Sequence, residues 1–131
     1  MEIKFLELLE HAKKASENTY SPYSKFPVGA CVLYQSGNIY VGTNVENSSY
    51  GLTLCAERNA ISTAIAMGEK TKIVAIAIYS PTQKPCTPCG ACRQWIQEFK
   101  ESDDTKIISD DKNSELKIWT IDELLPHTFE L

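Results

Sequence analysis

Apolar residues recur every three positions near the start of the chain, at Ile3, Leu6, Leu9, Ala12 and Ala15, with Lys and Glu between them. That spacing keeps one face of a helix apolar and predicts an amphipathic helix over residues 2–18. Tyr20-Ser21-Pro22-Tyr23-Ser24 cannot continue it, because proline lacks the amide donor, so 19–26 reads as a loop. Strand patterns follow at 28–34 and 39–43, joined through Ser36-Gly37-Asn38 as a hairpin. Residues 44–54 are rich in Asn and Ser, whose side chains bond to nearby backbone, and read as irregular. Helix resumes near Cys55 and runs to about Met67, stopped by Gly68. The run Ile-Val-Ala-Ile-Ala-Ile-Tyr at 73–79 lacks strong alternation, the mark of a central strand covered on both faces. A proline-rich loop over 80–89 leads into a helix over 90–99. Short strands near 105–109 and 116–119, a helical turn from Asp122 and a tail ending at Phe129-Glu130-Leu131 complete the chain.

This order predicts an α/β fold: one mixed sheet of five strands with helices on both faces, a three-layer α/β/α arrangement. Ligands of such sheets sit beyond strand ends, where loops meet helix N-termini. Cys55 and the Cys89–Cys92 step both lie at junctions of that kind. At 131 residues the chain reads as one domain, 1–131, with no repeat or linker. A net charge of −4 speaks against a surface that binds nucleic acid through its phosphates. No apolar run approaches the roughly 20 residues of a membrane span. Met1-Glu2-Ile3-Lys4 has no signal pattern, which predicts a cytoplasmic protein. Five cysteines, an odd number, argue against a disulfide framework and for reduced thiols, where a cluster marks a metal or reactive site.

Cys89-Gly90-Ala91-Cys92 places two thiols one helical turn apart, so both can hold one ion. Alone, the step also suits a redox pair, half a structural zinc site or part of an iron–sulfur run. The last requires a further cysteine four positions on, followed by proline, where this chain has Ile96 and Gln97. A closed structural zinc site needs four ligands, and Cys55, Cys86, Cys89 and Cys92 can supply them; spacing does not exclude it. The other reading is a catalytic zinc held by Cys55, Cys89 and Cys92, with water in the fourth place. Cys55-Ala56-Glu57-Arg58 supports it, with a carboxylate for proton transfer and a guanidinium to offset thiolate charge. On an ideal helix, however, position i+2 faces away from i, so spacing does not aim Glu57 at the metal.

The chain resembles the homotetrameric zinc-dependent cytidine deaminases. The resemblance is carried by Cys55-Ala56-Glu57 and Pro88-Cys89-Gly90-Ala91-Cys92-Arg93-Gln94. The block Ser21-Pro22-Tyr23-Ser24-Lys25-Phe26-Pro27-Val28-Gly29-Ala30, the block Gly42 to Gly51 and Leu124-Leu125-Pro126-His127-Thr128-Phe129 extend it over the whole chain. It implies a cytidine deaminase-like domain in which Zn2+ is ligated by Cys55, Cys89 and Cys92. Glu57 is then the proton carrier for hydrolytic deamination of cytidine and 2′-deoxycytidine, with release of ammonia, in pyrimidine salvage. Asn44 and Glu46 would bond the ribose 3′-hydroxyl, Phe26 would pack on the nucleoside, and the Ala56 amide would meet the base carbonyl. Ser48 and Tyr50 would reach the sugar, and Phe129 the ring, from neighbouring subunits of a homotetramer.

The residue chemistry agrees. A neutral base is held by aromatic area, as from Phe26 and Phe129, and a sugar hydroxyl by a buried carboxylate and amide. No arginine cluster serves a phosphate, which favours a free nucleoside as the small-molecule partner. The rivals are a deaminase of a cytosine-containing antibiotic nucleoside, of the blasticidin type, and a non-catalytic zinc module. Glu46 after Asn44-Val45 favours a simple ribose over the first. Deaminases of tRNA or DNA usually carry His-Ala-Glu and a basic surface, unlike this chain. Read singly, Arg58 is a surface ion pair, Asn44 and Glu46 are turn residues, Trp95 and Trp119 are core, and His11 and His127 are solvated. Cys31 reads as a buried structural thiol and Cys86 as a loop cysteine or a fourth ligand. No residue clearly reads the 2′-hydroxyl, so the two nucleosides are not distinguished.

Overall fold

The computed structural model describes residues 2–131, with side chains from Lys4 onward. Helix α1 (Glu2–Ser16) precedes strands β1 (Gly29–Tyr34) and β2 (Ile39–Thr43), then α2 (Ala56–Ala66) and β3 (Ile73–Tyr79). Helix α3 (Gly90–Phe99), strands β4 (Lys106–Asp110) and β5 (Leu116–Thr120) and the short α4 (Ile121–Leu124) follow. The five strands form one sheet in the order β2-β1-β3-β4-β5. β3 and β4 run parallel and the other pairs antiparallel. The expected mixed sheet with helices on both faces is the architecture observed, and α3 is the crossover that a parallel β3–β4 pair requires.

The two faces divide by residue parity. Ala30, Val32 and Tyr34 of β1 and Ile76 and Ile78 of β3 pack with Ala56, Ala60, Ile61 and Ala64 of α2 and Ile96 of α3. Cys31 and Leu33 of β1 and Ala75, Ala77 and Tyr79 of β3 pack with Phe5, Leu8 and Ala12 of α1. The apolar run at 73–79 fails to alternate because helices cover both sides of it. The buried face of α1 differs in part from the one its spacing predicts: Ala12 is buried and Leu9 packs against the core as expected, but Leu6 is 54% exposed and Phe5 and Leu8 complete the face. The Ile3 side chain lies outside the described residues. The helix also stops at Ser16, two residues short of the expected end. Trp95 is likewise not core, being 38% exposed on α3, where it stacks obliquely with Phe99. Cys31 is fully buried, as expected, and burial pushes its thiol up to about 12.

Two glycines set the helix-to-sheet distance. A Cβ on Gly29 would lie 1.9 Å from the Ala12 carbonyl oxygen, and one on Gly42 would lie 2.4 Å from the Ala60 nitrogen. Helices thus rest directly on strand backbone, α1 on β1 and α2 on β2.

Glu69 ties the hairpin to the loop after α2. Its buried carboxylate accepts from Ser36 Oγ at 2.9 Å, Asn38 Nδ2 at 3.3 Å, Tyr40 OH at 2.9 Å and the Thr71 amide at 3.1 Å. These donors, the Thr71 hydroxyl foremost, hold the carboxyl at about 2, below the usual 4.5. A group depressed in the folded state stabilises it above the unfolded value and loses that contribution as pH falls through the folded value. Glu69→Gln should therefore lower the melting temperature at neutral pH. The gap to the wild type should close as pH drops from about 4.5 towards about 2. Thermal melts across that range check it; a gap that stays constant would contradict the assignment.

Candidate metal centre and adjoining cleft

Two helix N-termini converge on one point. Cys55 caps α2 and Cys89 caps α3, both with extended backbone, at φ −74°, ψ 156° and φ −68°, ψ 170° respectively. Neither side chain takes a capping bond from the backbone of its own helix, which leaves both sulfurs available to another partner. Cys92 follows in the first turn of α3, at the position a capping side chain faces. The three Sγ atoms all lie within 4.8 Å of one another. Zinc–sulfur bonds of about 2.3 Å put tetrahedral ligand sulfurs roughly 3.8 Å apart, so this donor set fits a zinc ion with small adjustment. Among the described residues Cys86 does not join the group.

The electrostatics favour a thiolate at Cys55. Arg58 Nη2 donates to Cys55 Sγ and to the Thr53 carbonyl oxygen, each at 3.4 Å. A hydrogen bond from the Cys92 thiol, with Arg58 assisting against the effect of burial, holds Cys55 down to about 5. The same bond and burial push Cys92 up, so of that pair Cys55 is the one that ionises first. Both helix N-termini add positive potential at the sulfurs.

Glu57 lies beside this cluster, although helical spacing alone pointed it away. The reason is that Cys55 is not helical: its extended backbone removes the wheel relation between 55 and 57. Glu57 is 4% exposed. Burial lifts its carboxyl to about 7, and the charge on Cys55 adds to the effect. A group poised there is suited to accept and donate protons near neutral pH.

The cluster opens into a cleft of about 330 Å³, walled by Phe26, Val28, Asn44, Cys55, Ala56, Glu57, Cys86 and Cys89 among others. A side lobe of about 230 Å³ is lined by Tyr23, Ser24, Glu46, Tyr50 and Thr53. Ser24 and Thr53 belong to both. Together they reach the size usual for small-molecule sites, about 300–1,000 Å³.

Asn44 is buried; its Nδ2 donates to the Phe26 carbonyl at 2.8 Å and its Oδ1 accepts from the Val28 amide at 3.0 Å. It shapes the wall that carries Phe26 as well as facing the cleft. Glu46 faces the side lobe, and Tyr50 of the same chain stands there too, 5.9 Å from the Tyr23 ring. Ser48 is exposed and Phe129 is 71% exposed, beside Gln97 and Glu130 near the C-terminal end of α3. Within one chain Phe129 does not reach the cleft, whose metal centre is at the opposite end of that helix. Cys86 proves to be a buried cleft residue, its amide donating to Ser109 Oγ at 3.1 Å and its thiol pushed by burial to about 12.

Sequence reasoning missed Thr53, Gln83 and Thr87, which line the cleft from irregular segments and carry no pattern. It also gave no role to Arg93, which donates to the Pro88 carbonyl at 2.7 Å and the Leu124 carbonyl at 2.8 Å. Arg93 thereby pins the loop bearing Cys89 to α4.

Residues 4–108 match the model of the family described as cytidine and deoxycytidylate deaminase zinc-binding region. The chain is 43% identical over 122 residues to a cytidine deaminase of Halalkalibacterium halodurans, covering 93% of this chain and 91% of that protein. It superposes on the crystal structure of cytidine deaminase from Burkholderia pseudomallei with a TM-score of 0.86 at 39% identity, covering 95% of this chain and 98% of that one. On the Mycobacterium tuberculosis enzyme the TM-score is 0.82 at 35% identity, with 97% and 98% covered.

Proposed function

The chain belongs to the cytidine and deoxycytidylate deaminase zinc-binding family, and from that premise we propose that it hydrolyses cytidine and 2′-deoxycytidine to uridine and 2′-deoxyuridine with release of ammonia. The observation that carries the reading is the grouping of three cysteine sulfurs at two helix N-termini beside a buried carboxyl, with Cys55, Cys89 and Glu57 on the wall of one cleft. Cys55, Cys89 and Cys92 would hold zinc there, and the ion would supply a Lewis acid that makes water more acidic. Glu57 takes a proton from the water that adds to C4 of the base and passes it to ring N3; it then takes the proton of the new C4 hydroxyl and gives it to the amine, so that the C4–N bond breaks as the C4 carbonyl forms. The balance is nucleoside plus water giving the uracil nucleoside plus ammonia. Arg58 tempers the negative charge of the sulfur set through its bond to Cys55.

Phe26 packs on the base, the Ala56 amide at the start of α2 meets its carbonyl oxygen, and Asn44 and Glu46 receive the 3′-hydroxyl. The whole chain, 1–131, acts as one catalytic domain. In this reading four copies assemble, with Ser48, Tyr50 and Phe129 completing neighbouring sites; the exposure of Tyr50 (74%) and of Phe129 supports it. The enzyme works in pyrimidine salvage in the cytoplasm. No described helix is long and apolar enough to cross a membrane.

Purified protein incubated with cytidine should yield uridine and ammonia in equal amounts and contain one zinc per chain. Zinc without turnover on either nucleoside would overturn the reading. Cys86→Ser separates catalytic from closed structural zinc, because a closed site requires a fourth sulfur. The variant should keep one zinc per chain and turnover within about threefold of wild type, since it removes no metal ligand and no proton carrier. Loss of metal on that change would restore Cys86 as a ligand.

A further inference from the structure

The turn at residues 21–26 builds an anion-binding nest, and Glu46 fills it. The Lys25 amide donates to the Ser21 carbonyl at 3.0 Å and closes a turn, which the chain leaves with Lys25 at φ +56°. Within the turn the successive amides of Tyr23 and Ser24 face one acceptor, an arrangement suited to an anion. The Tyr23 and Ser24 amides donate to Glu46 Oε1 at 3.0 and 3.1 Å, and the Ser24 hydroxyl donates to Oε2. The same Ser24 oxygen accepts from the Phe26 amide at 3.0 Å. Ser24 also stands on both the main cleft and its side lobe.

We propose that Ser24 is a positioning residue for nucleoside binding, holding the Glu46 carboxylate in place for the sugar 3′-hydroxyl. The inference rests on the assignment of Glu46 to that hydroxyl made above. With Oε1 taken by two amides and Oε2 by one hydroxyl, the remaining lone pairs of Oε2 point the acceptor in one fixed direction. Freed from the serine, the carboxylate keeps its amide anchor but can swing Oε2 out of line. These donors, the Ser24 hydroxyl first, also keep the carboxyl below its usual range and therefore ionised, an acceptor only. Lys25 is the charged group that adds to this effect.

The test compares wild type, S24A, S24T and E46A on cytidine and on 3′-deoxycytidine. S24A should raise KM for cytidine about tenfold, the scale of one charge-assisted hydrogen bond, with kcat within about twofold. S24T, which keeps the hydroxyl, should restore most of that loss. On 3′-deoxycytidine the S24A penalty should vanish, because the hydroxyl that Glu46 receives is gone. A tenfold penalty that persists on 3′-deoxycytidine would place the effect in Phe26 or the loop and overturn the inference. So would an S24A enzyme with wild-type KM while E46A shows the 3′-hydroxyl-dependent loss. If E46A itself shows no such dependence, the assignment of Glu46 fails, and the role of Ser24 falls with it.

Discussion

Replacing Glu57 by glutamine is expected to leave zinc in place and to lower kcat for cytidine by about 10⁴-fold, the upper range for a general acid–base group. At roughly 1.4 kcal/mol per decade this is about 5 kcal/mol of transition-state stabilisation. The upper range applies because one side chain serves every proton transfer of the reaction, from water to ring nitrogen and on to the leaving amine. Glutamine matches glutamate in shape but can neither accept nor release a proton at these positions. The sulfurs of Cys55, Cys89 and Cys92 are untouched, so metal content should stay at one per chain. Stability should not fall: the buried carboxyl is raised to about 7 by desolvation, so folding gains nothing from its charge. Metal analysis, a melting curve and steady-state kinetics on the same sample decide the matter. Turnover near the wild-type rate would remove Glu57 from the mechanism, and loss of zinc would make it a ligand.

Strand and helix positions follow closely from hydrophobic pattern and breakers: the hairpin at Ser36-Gly37-Asn38, the doubly covered run at 73–79 and the stop at Gly68 are each local. The three sulfurs were legible too, because cysteine is scarce and its spacing is distinctive. What the pattern could not place was direction. A helix wheel drawn from Cys55 turns Glu57 away, but Cys55 has an extended backbone that obeys no wheel. Leu6 and Phe5 are equally apolar, and only the position of the sheet decides that Phe5 is buried. Thr53, Gln83 and Thr87 enter the cleft through the paths of irregular loops, which arise from long-range packing. The two backbone contacts at Gly29 and Gly42 were equally hidden, since a glycine in a strand pattern does not say what approaches it.

Gly42 turns that hidden contact into the second large effect. A Cβ there would sit 2.4 Å from the Ala60 nitrogen and 2.5 Å from the Ala56 carbonyl oxygen. Both are helix backbone, so no side chain can rotate away and α2 as a whole must move off β2. Alanine at this position should therefore cost about 3 kcal/mol, the upper part of the range for overpacking, and lower the melting temperature by roughly 10 °C. The displacement is not confined to stability. Ala56 is the first residue of α2, followed by Glu57 and Arg58, and Cys55 caps it. Moving that end shifts one sulfur, the proton carrier and the guanidinium relative to Cys89 and Cys92, which α3 holds. Catalysis depends on placement to a fraction of an ångström, and a shift of about 1 Å commonly costs about 100-fold. Gly42→Ala should thus lose turnover well below its unfolding temperature, with zinc bound less tightly. Gly51→Ala is the control, because a Cβ at Gly51 meets nothing within 4 Å and its backbone needs no positive φ. It should leave the melting temperature unchanged. A Gly42→Ala protein with wild-type melting and turnover would show that α2 can retreat without disturbing the metal centre, and would separate helix seating from catalysis in this fold.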